Sequence, residues 1–101
     1  MDKMVLKLYV TGLTQRTELA IANLRRICES KLHGQYDLLV IDVLERPQLA
    51  EDEKIIATPT LIKSLPAPLA RLIGDMSDTD KVLLGLDIMP LGETKPKLKE
   101  K

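Results

Sequence analysis

The stretch IIATPTLI, residues 55–62, places a Thr-Pro-Thr turn between two apolar runs and divides the chain into two halves. The second run continues as TPTLIKSL, residues 58–65, and its composition suits a strand. The following APLARLIGD, residues 67–75, predicts another strand that pairs with it in antiparallel fashion. The fold then depends on the elements that precede and follow this pair.

The first half of the chain predicts a βαβ unit. Residues 3–10 alternate, with Met4, Leu6, Leu8 and Val10 on one face and a partly apolar second face, which predicts a strand covered on both sides. From residue 15 to 32 the period becomes helical, and His33-Gly34 ends the helix. The apolar stripe of this helix comprises Ala20, Ile21, Leu24, Ile27, Cys28 and Leu32.

YDLLVIDVL, residues 36–44, is rich in Leu, Val and Ile and predicts a buried central strand. A strand, a helix of this length and a second strand predict a parallel pair joined by a right-handed crossover.

Local signals in the second half are weaker. Pro47 fits the first turn of a short helix, PQLAEDEKI, that exposes Glu51, Asp52 and Glu53. Ser77 is a candidate N-cap for a last helix that ends near Met89, with Asp80 completing a variant capping box. The inward residues of this helix would be Val82, Leu83, Leu86 and Met89. The same run, VLLGLDIM, also fits a short strand, because Gly85 interrupts it.

Length and composition predict one domain, residues 1–89, and a flexible Lys-rich tail, residues 90–101. Fifteen basic and fifteen acidic residues give a formal net charge of zero, which provides no global field for nucleic acid or an anionic membrane. No apolar run has the length of a membrane-spanning helix, and a single cysteine forms no internal disulfide. These features predict a cytoplasmic protein that binds neither nucleic acid nor membrane.

The chain offers few residues for catalysis. Cys28 falls on the apolar stripe of the first helix and is expected to be a core thiol, whereas His33 is expected to be solvated at the helix end. Asp42 either ends the buried part of its strand or pairs with a cation. No catalytic triad, carboxylate dyad, metal site or cofactor site can be assembled, so a binding module is favoured over an enzyme.

Three segments carry a resemblance to a known family: LKLYVTG (6–12), VIDVLERPQLAEDEKIIATPTLIKSLPAPLARLIGD (40–75) and KVLLGLD (81–87). Over residues 4–89 the chain resembles the KaiB proteins, the bacterial clock proteins of the thioredoxin-like superfamily. The resemblance implies an α/β fold whose βαβ half is constant. It also implies that the C-terminal half adopts either a thioredoxin-like arrangement or the family's ground-state arrangement.

The resemblance further implies a non-catalytic adaptor that binds a KaiC-type ATPase and regulates circadian or clock-like output. KaiA, or a sensor kinase with a thioredoxin-like domain, is a further implied partner, and the implied assembly is a homodimer or homotetramer. Lys54 and Arg71 match basic positions associated with KaiC contact, and Gly85 and Asp87 match positions that favour the ground state. Pro59 matches the cis-proline of the thioredoxin-like arrangement.

The chain departs from the clock proteins at several positions. Leu19 and Leu39 stand where those proteins tend to carry Arg and Lys, Pro90 stands where an aromatic residue is common, and the tail KPKLKEK is basic rather than acidic. The alternative is therefore a KaiB-derived module in stress-adaptation signalling that no longer binds KaiC and acts through a sensor kinase or another regulator.

Overall fold

The structure is a computed structural model that describes residues 3–87. Met89, Pro90 and the tail at 90–101 lie outside the described residues, so the expectations for them stay predictions. Within residues 3–87 the elements are β1 (Met4–Val10), α1 (Gln15–Leu32), β2 (Tyr36–Asp42), α2 (Pro47–Asp52), β3 (Thr60–Leu65), β4 (Ala70–Ile73) and α3 (Thr79–Leu86).

The strands of residues 3–87 form one four-stranded sheet in the order β2-β1-β3-β4. β1 and β2 run parallel, whereas β3 is antiparallel to both β1 and β4. The parallel βαβ unit and the antiparallel β3–β4 pair predicted from sequence are both confirmed. The C-terminal half has a hairpin followed by a helix, which is the thioredoxin-like arrangement of the two that the resemblance allows.

The core lies between one face of the sheet and the two longer helices. Alternate residues of β1 pack there with residues of α1 and α3, because side chains of a strand alternate between the two faces. The buried cluster comprises Met4, Leu6, Leu8, Val10, Ala20, Leu24, Ile27, Cys28, Leu61, Met76, Val82 and Leu86. Burial of these aliphatic side chains is the main source of stability in a chain without Phe or Trp.

Both ends of α1 are capped, and the cap at the C-terminal end is the one that the sequence predicts. The Thr14 hydroxyl accepts a hydrogen bond from the Thr17 backbone N–H at 3.1 Å, which satisfies one of the free donors of the first turn. At the other end His33 adopts a left-handed conformation with φ of 52°, and Gly34 follows with φ of 80°. The predicted end of the helix at His33-Gly34 is confirmed.

β2 is an edge strand, and the prediction of a buried central strand was wrong. Leu39 is 50% exposed and Val40 is 38% exposed, whereas β1 occupies the interior of the sheet. Composition alone did not separate the two cases, because a run of Leu, Val and Ile does not specify how many neighbouring strands it has. The apolar residues of β2 therefore form part of the protein surface.

Three boundaries in the second half differ from the predictions. α3 ends at Leu86 with Asp87 as its C-cap, so the predicted end near Met89 was wrong. α2 ends at Asp52, so Glu53 lies beyond the helix, where it is partly buried rather than fully exposed. The last element is a helix, and its N-cap is Asp78, whose carboxylate accepts a hydrogen bond from the Lys81 N–H at 3.2 Å. Ser77 was predicted for this role, but its own N–H donates to the Asp75 carboxylate at 3.0 Å.

Replacing Asp78 by alanine should lower the free energy of unfolding by about 1 kcal/mol, because loss of an N-cap side chain leaves a helix donor without its partner. Ser77→Ala is the matched control, since it removes a neighbouring side chain outside the cap. Urea denaturation followed by circular dichroism measures both. An equal or larger loss in Ser77→Ala would show that the cap has been placed on the wrong residue.

Candidate partner-binding surface

The sheet face opposite the core carries a polar surface beside the end of α2. Arg71, in β4, donates from Nη2 to the Glu53 carbonyl oxygen at 2.7 Å and from Nη1 to the Lys54 carbonyl oxygen at 3.3 Å. The guanidinium group thus binds the carbonyl end of the turn that follows α2. Arginine has five N–H donors, so exposed Arg71 keeps donors that can reach a partner.

The turn after α2 holds Lys54 in a defined backbone conformation. Its φ is 55°, a left-handed conformation, and its N–H donates to the Glu51 carbonyl oxygen at 3.0 Å. Ile55 N–H closes the turn on the Ala50 carbonyl oxygen at 2.9 Å. Lys54 and Arg71 are both exposed, and Arg71 contacts the backbone of Lys54. The two basic residues predicted from sequence therefore lie next to each other.

An ion pair continues this surface onto β1. Lys7 Nζ lies 3.9 Å from Glu53 Oε2, with both side chains about one-third exposed. Tyr9 is buried beside them. Its pKa is raised above the usual value, mainly because the side chain is buried and to a smaller extent because the Glu53 carboxylate is close. Lys7, Glu53, Lys54 and Arg71 are called the Lys54–Arg71 surface below. It combines three basic residues with one carboxylate, a composition suited to binding carboxylates of another protein through charge-assisted hydrogen bonds.

The loop of Pro59 is tied to the loop that follows β1. The Thr58–Pro59 peptide bond is cis, the isomer expected there, and Pro59 is buried. The hydroxyl oxygens of Thr11 and Thr58 lie 2.7 Å apart, and the Pro59 carbonyl oxygen accepts from the Gly74 N–H at 2.9 Å. Thr11, which follows β1, therefore faces the loop of Pro59. The loop leads into β3 and is also hydrogen-bonded to Gly74, just after β4.

Two exposed apolar residues beside these loops escaped the sequence analysis. Ile56 is 88% exposed and Leu13 is 81% exposed. Ile56 lies within IIATPTLI and Leu13 within TGLT, so each is next to turn residues in the sequence. An apolar residue next to a turn was the only sequence feature that could have indicated their exposure. Ile56 follows Lys54 by two residues, so it adds an apolar contact next to the Lys54–Arg71 surface.

Gly85 and Asp87 lie on the other side of β4, at the end of α3. A Cβ on Gly85 would lie 2.8 Å from Leu72 Cγ and closer still to Cδ2, so the absence of a side chain permits the close approach of α3 to β4. Asp87 is the C-cap of α3 and adopts φ of 58°. Arg71 and Leu72 are adjacent in β4 and point to opposite faces, so this strand connects the partner-binding and fold-switch candidates.

The remaining candidates have structural positions. Asp42 ends β2, where its carboxylate accepts from the Gly12 N–H at 3.2 Å and the Leu44 N–H at 2.9 Å. This arrangement supports the first of the two alternatives for Asp42, since its contacts are with loop backbone. In the part of the chain that the structure describes, no three His, Cys, Asp or Glu side chains are placed to hold a metal ion. No helix of residues 3–87 is long and apolar enough to cross a membrane.

Cys28 is fully buried in the core, and burial raises the pKa of its thiol to about 12, with the Glu29 carboxylate adding to the shift. The raised pKa favours the neutral thiol, so little of the nucleophilic thiolate forms near pH 7. We expect iodoacetamide to alkylate the folded chain at least tenfold more slowly than the urea-unfolded chain at pH 8. The rate should rise near pH 9 in the unfolded chain and only at higher pH in the folded chain; equal rates would contradict the buried placement.

The sheet order and element order define a thioredoxin-like α/β domain, and comparison with solved structures agrees. The N-terminal domain of Synechococcus elongatus SasA superposes with a TM-score of 0.72 at 24% identity, covering 86% of each chain. Mitochondrial thioredoxin 3 of Saccharomyces cerevisiae has a TM-score of 0.67 at 15% identity, covering 86% of this chain and 79% of its own. At these identities the comparisons establish the fold.

Sequence comparison establishes the family. The KaiB domain model matches residues 7–88. Circadian clock protein KaiB3 of Synechocystis sp. is 62% identical over 92 residues, which cover 91% of this chain and 90% of that protein. Circadian clock oscillator protein KaiB of Prochlorococcus marinus is 56% identical over 85 residues, which cover 84% and 81%. The chain belongs to the KaiB family.

Proposed function

We propose that this chain is a non-catalytic KaiB-type adaptor that binds a KaiC-type ATPase in its thioredoxin-like arrangement and regulates circadian or clock-like output. The observation that carries the proposal is the contact between Arg71 and the backbone of the turn at Lys54, which brings two exposed basic residues together. The names of the relatives as circadian clock proteins support the biological setting. KaiA, or a sensor kinase with a thioredoxin-like domain, is the proposed competing or downstream partner.

The proposed interaction is electrostatic at its rim and apolar near its centre. Exposed cations mainly raise the rate of encounter with an acidic partner, and buried apolar contact then slows dissociation. Lys54 and Arg71 supply the first contribution, and Ile56, at 88% exposure, supplies the second.

Titration of the fluorescently labelled full chain with the KaiC-type ATPase of the same organism tests the proposal. The incubation should extend over hours, because a change of arrangement before binding would be slow. Saturable binding that weakens with added salt is expected, since exposed charges are screened. Absence of binding after long incubation would overturn the proposal.

The second candidate function is signalling in stress adaptation without KaiC. The exposure of Leu19 and Leu39, 47% and 50%, supports this candidate. These departures from the clock proteins change the surface of the protein and leave its core intact. Affinity capture with the full chain distinguishes the candidates. Recovery of a sensor kinase without any KaiC-type ATPase would favour the second function.

A further inference from the structure

A small cavity lies where β4 leads into α3, at the first turn of that helix. Its volume is about 170 Å³. The apolar part of its lining includes Leu72 of β4, Met76 of the connecting loop and Val82 of α3, and the last two are 5% and 3% exposed. An apolar cavity of about 150 Å³ is large enough for a benzene ring, so this one can accept an aliphatic side chain. We call it the β4–α3 cavity.

Carboxylates stand beside this apolar lining. Asp75 and Asp78 line the cavity, and Asp80 follows in the first turn of α3. The Oδ1 atom of Asp75 accepts a hydrogen bond from the Ser77 N–H, and that of Asp78 accepts one from the Lys81 N–H. A carboxylate has acceptor sites on both of its oxygens. Each of these two can therefore also accept a hydrogen bond from a basic group placed at the rim of the cavity.

The charge of the described part of the chain is opposite to that of the residues that follow it. Residues 88–101 contain four Lys and two Glu, so eleven of the fifteen basic and thirteen of the fifteen acidic residues precede them. The formal charge is therefore +2 for residues 88–101 and −2 for residues 1–87. At the cavity itself, Lys81 and Arg16 lie near the three carboxylates and offset two of their charges.

We propose that the 88–101 segment folds back along α3 and docks Lys97-Leu98-Lys99 on the β4–α3 cavity of the same chain. Leu98 enters the apolar lining, and Lys97 and Lys99 pair with Asp75 and Asp78 at the rim. Among the leucine, isoleucine and methionine residues of the segment, Leu98 is the one with lysine on each side. In a polyproline II conformation, with three residues per turn, the two lysines project to either side of Leu98. Their flexible four-carbon stems then let the amines reach the rim.

The chain is long enough for this contact. At 1.5 Å per helical residue, the distance from Asp87 back to Asp78 is roughly 14 Å. Leu98 stands eleven positions beyond Asp87, and a random chain of that length has an end-to-end distance on the order of 17–20 Å. Leu91 stands only four positions beyond Asp87 and reaches at most about 14 Å when fully extended, which leaves no length for the reversal. The reach therefore favours Leu98 as the docked residue.

Docking gives the 88–101 segment a role that does not depend on the proposed binding of a KaiC-type ATPase. In the docked position it covers Leu72, Met76 and Val82 and holds the first turn of α3 against β4. An acidic partner competes with Asp75 and Asp78 for the lysines of the segment, because both offer carboxylates to the same cations. The contact thus couples the packing of α3 to the charge of whatever protein approaches it.

Paramagnetic relaxation in the full chain tests the docking. Cys28 is fully buried, so Glu100→Cys supplies the reactive thiol for a nitroxide label two residues beyond Leu98. The amide signals of Met76 and Val82 should broaden most. A mixture of nitroxide-labelled chains with separate isotope-labelled chains should show no such broadening, because the contact lies within one chain. Broadening in that mixture would place the segment on a second copy and overturn the proposal.

Leu98→Ser in the nitroxide-labelled chain should lower the docking equilibrium constant by about tenfold, because burial of the leucine side chain is lost. The broadening at Met76 and Val82 should fall with it. Leu91→Ser is the matched control and should leave the broadening unchanged. Unchanged broadening in Leu98→Ser, or an equal loss in both serine variants, would overturn the proposal.

The contribution of charge is tested by Asp75→Asn, which keeps an acceptor for the Ser77 N–H and removes the negative charge. It should lower the docking constant by about twofold, the usual effect of an exposed ion pair. Asp52→Asn, on α2, is the matched control and should have no effect. Broadening centred on the acidic residues of α2, or a larger loss in Asp52→Asn than in Asp75→Asn, would show that the segment docks elsewhere and overturn the proposal.

Discussion

Gly85→Val should lower the free energy of unfolding of the thioredoxin-like arrangement by about 2 kcal/mol, within the usual cost of overpacking a close contact. A side chain at residue 85 would occupy the space of Leu72, with Cβ only 2.8 Å from its Cγ. Valine has a higher helix propensity than glycine, so a loss of stability would come from packing. Urea denaturation and the NMR amide fingerprint measure the loss and show whether α3 stays docked on β4.

Leu84→Val is the control, because it introduces the same residue on the exposed face of α3, where Leu84 is 70% exposed. Its cost should be limited to a few tenths of a kcal/mol of helix propensity. Combining Gly85→Val with Leu72→Ala should recover part of the loss, since residues in contact are not additive. Equal destabilisation by the two valine variants would contradict the close packing of α3 against β4.

Arg71→Glu should weaken binding to the KaiC-type ATPase by about tenfold to a hundredfold, equivalent to about 1.4–2.7 kcal/mol. The change removes a cation and adds a carboxylate on the Lys54–Arg71 surface, so an acidic partner would be repelled. The loss should fall mainly on the association rate and shrink as salt rises, because Arg71 is exposed. Surface plasmon resonance at two or more salt concentrations measures both effects.

Arg26→Glu is the matched control, with the same change of charge at an exposed residue of α1. Lys54→Glu is the second variant, since Arg71 binds only the backbone oxygen of Lys54 and that contact survives the substitution. It should reproduce the loss of affinity without disturbing the turn after α2. If Arg26→Glu weakened binding as much as the other two, the effect would come from net charge and the surface would be misplaced.

The sequence predicted those parts of the fold that depend on local periodicity. The change from alternation in residues 3–10 to a helical period in 15–32 identified β1 and α1, and the crossover length identified β2 as parallel to β1. The position of β2 at an edge was missed, because the number of neighbouring strands is a tertiary property. The choice between helix and strand for VLLGLDIM was also left open by its period, and packing of Val82 and Leu86 in the core accompanies the helix.

The candidate site was predictable only in part. The family resemblance pointed to Lys54 and Arg71 separately, but 17 residues separate them, and their contact through the turn after α2 required the structure. Gly85 shows a second limit of sequence reasoning. Helix propensity predicts that alanine there gains about 1 kcal/mol, whereas the contact with Leu72 opposes that gain, so the sign depends on how far Leu72 can move.

Methyl NMR of the full chain with labelled isoleucine Cδ1 groups, bound to the unlabelled KaiC-type ATPase, tests whether the ATPase binds the Lys54–Arg71 surface. Ile56 and Ile73 lie beside the Lys54–Arg71 surface and are 88% and 56% exposed, whereas Ile27 is buried against the core. Ile41, on β2, reports the opposite edge of the sheet. We expect the methyl signals of Ile56 and Ile73 to shift or broaden most on binding, and those of Ile27 and Ile41 to change least. The largest changes at Ile41, or no change at Ile56 and Ile73 in a saturated complex, would contradict binding at this surface.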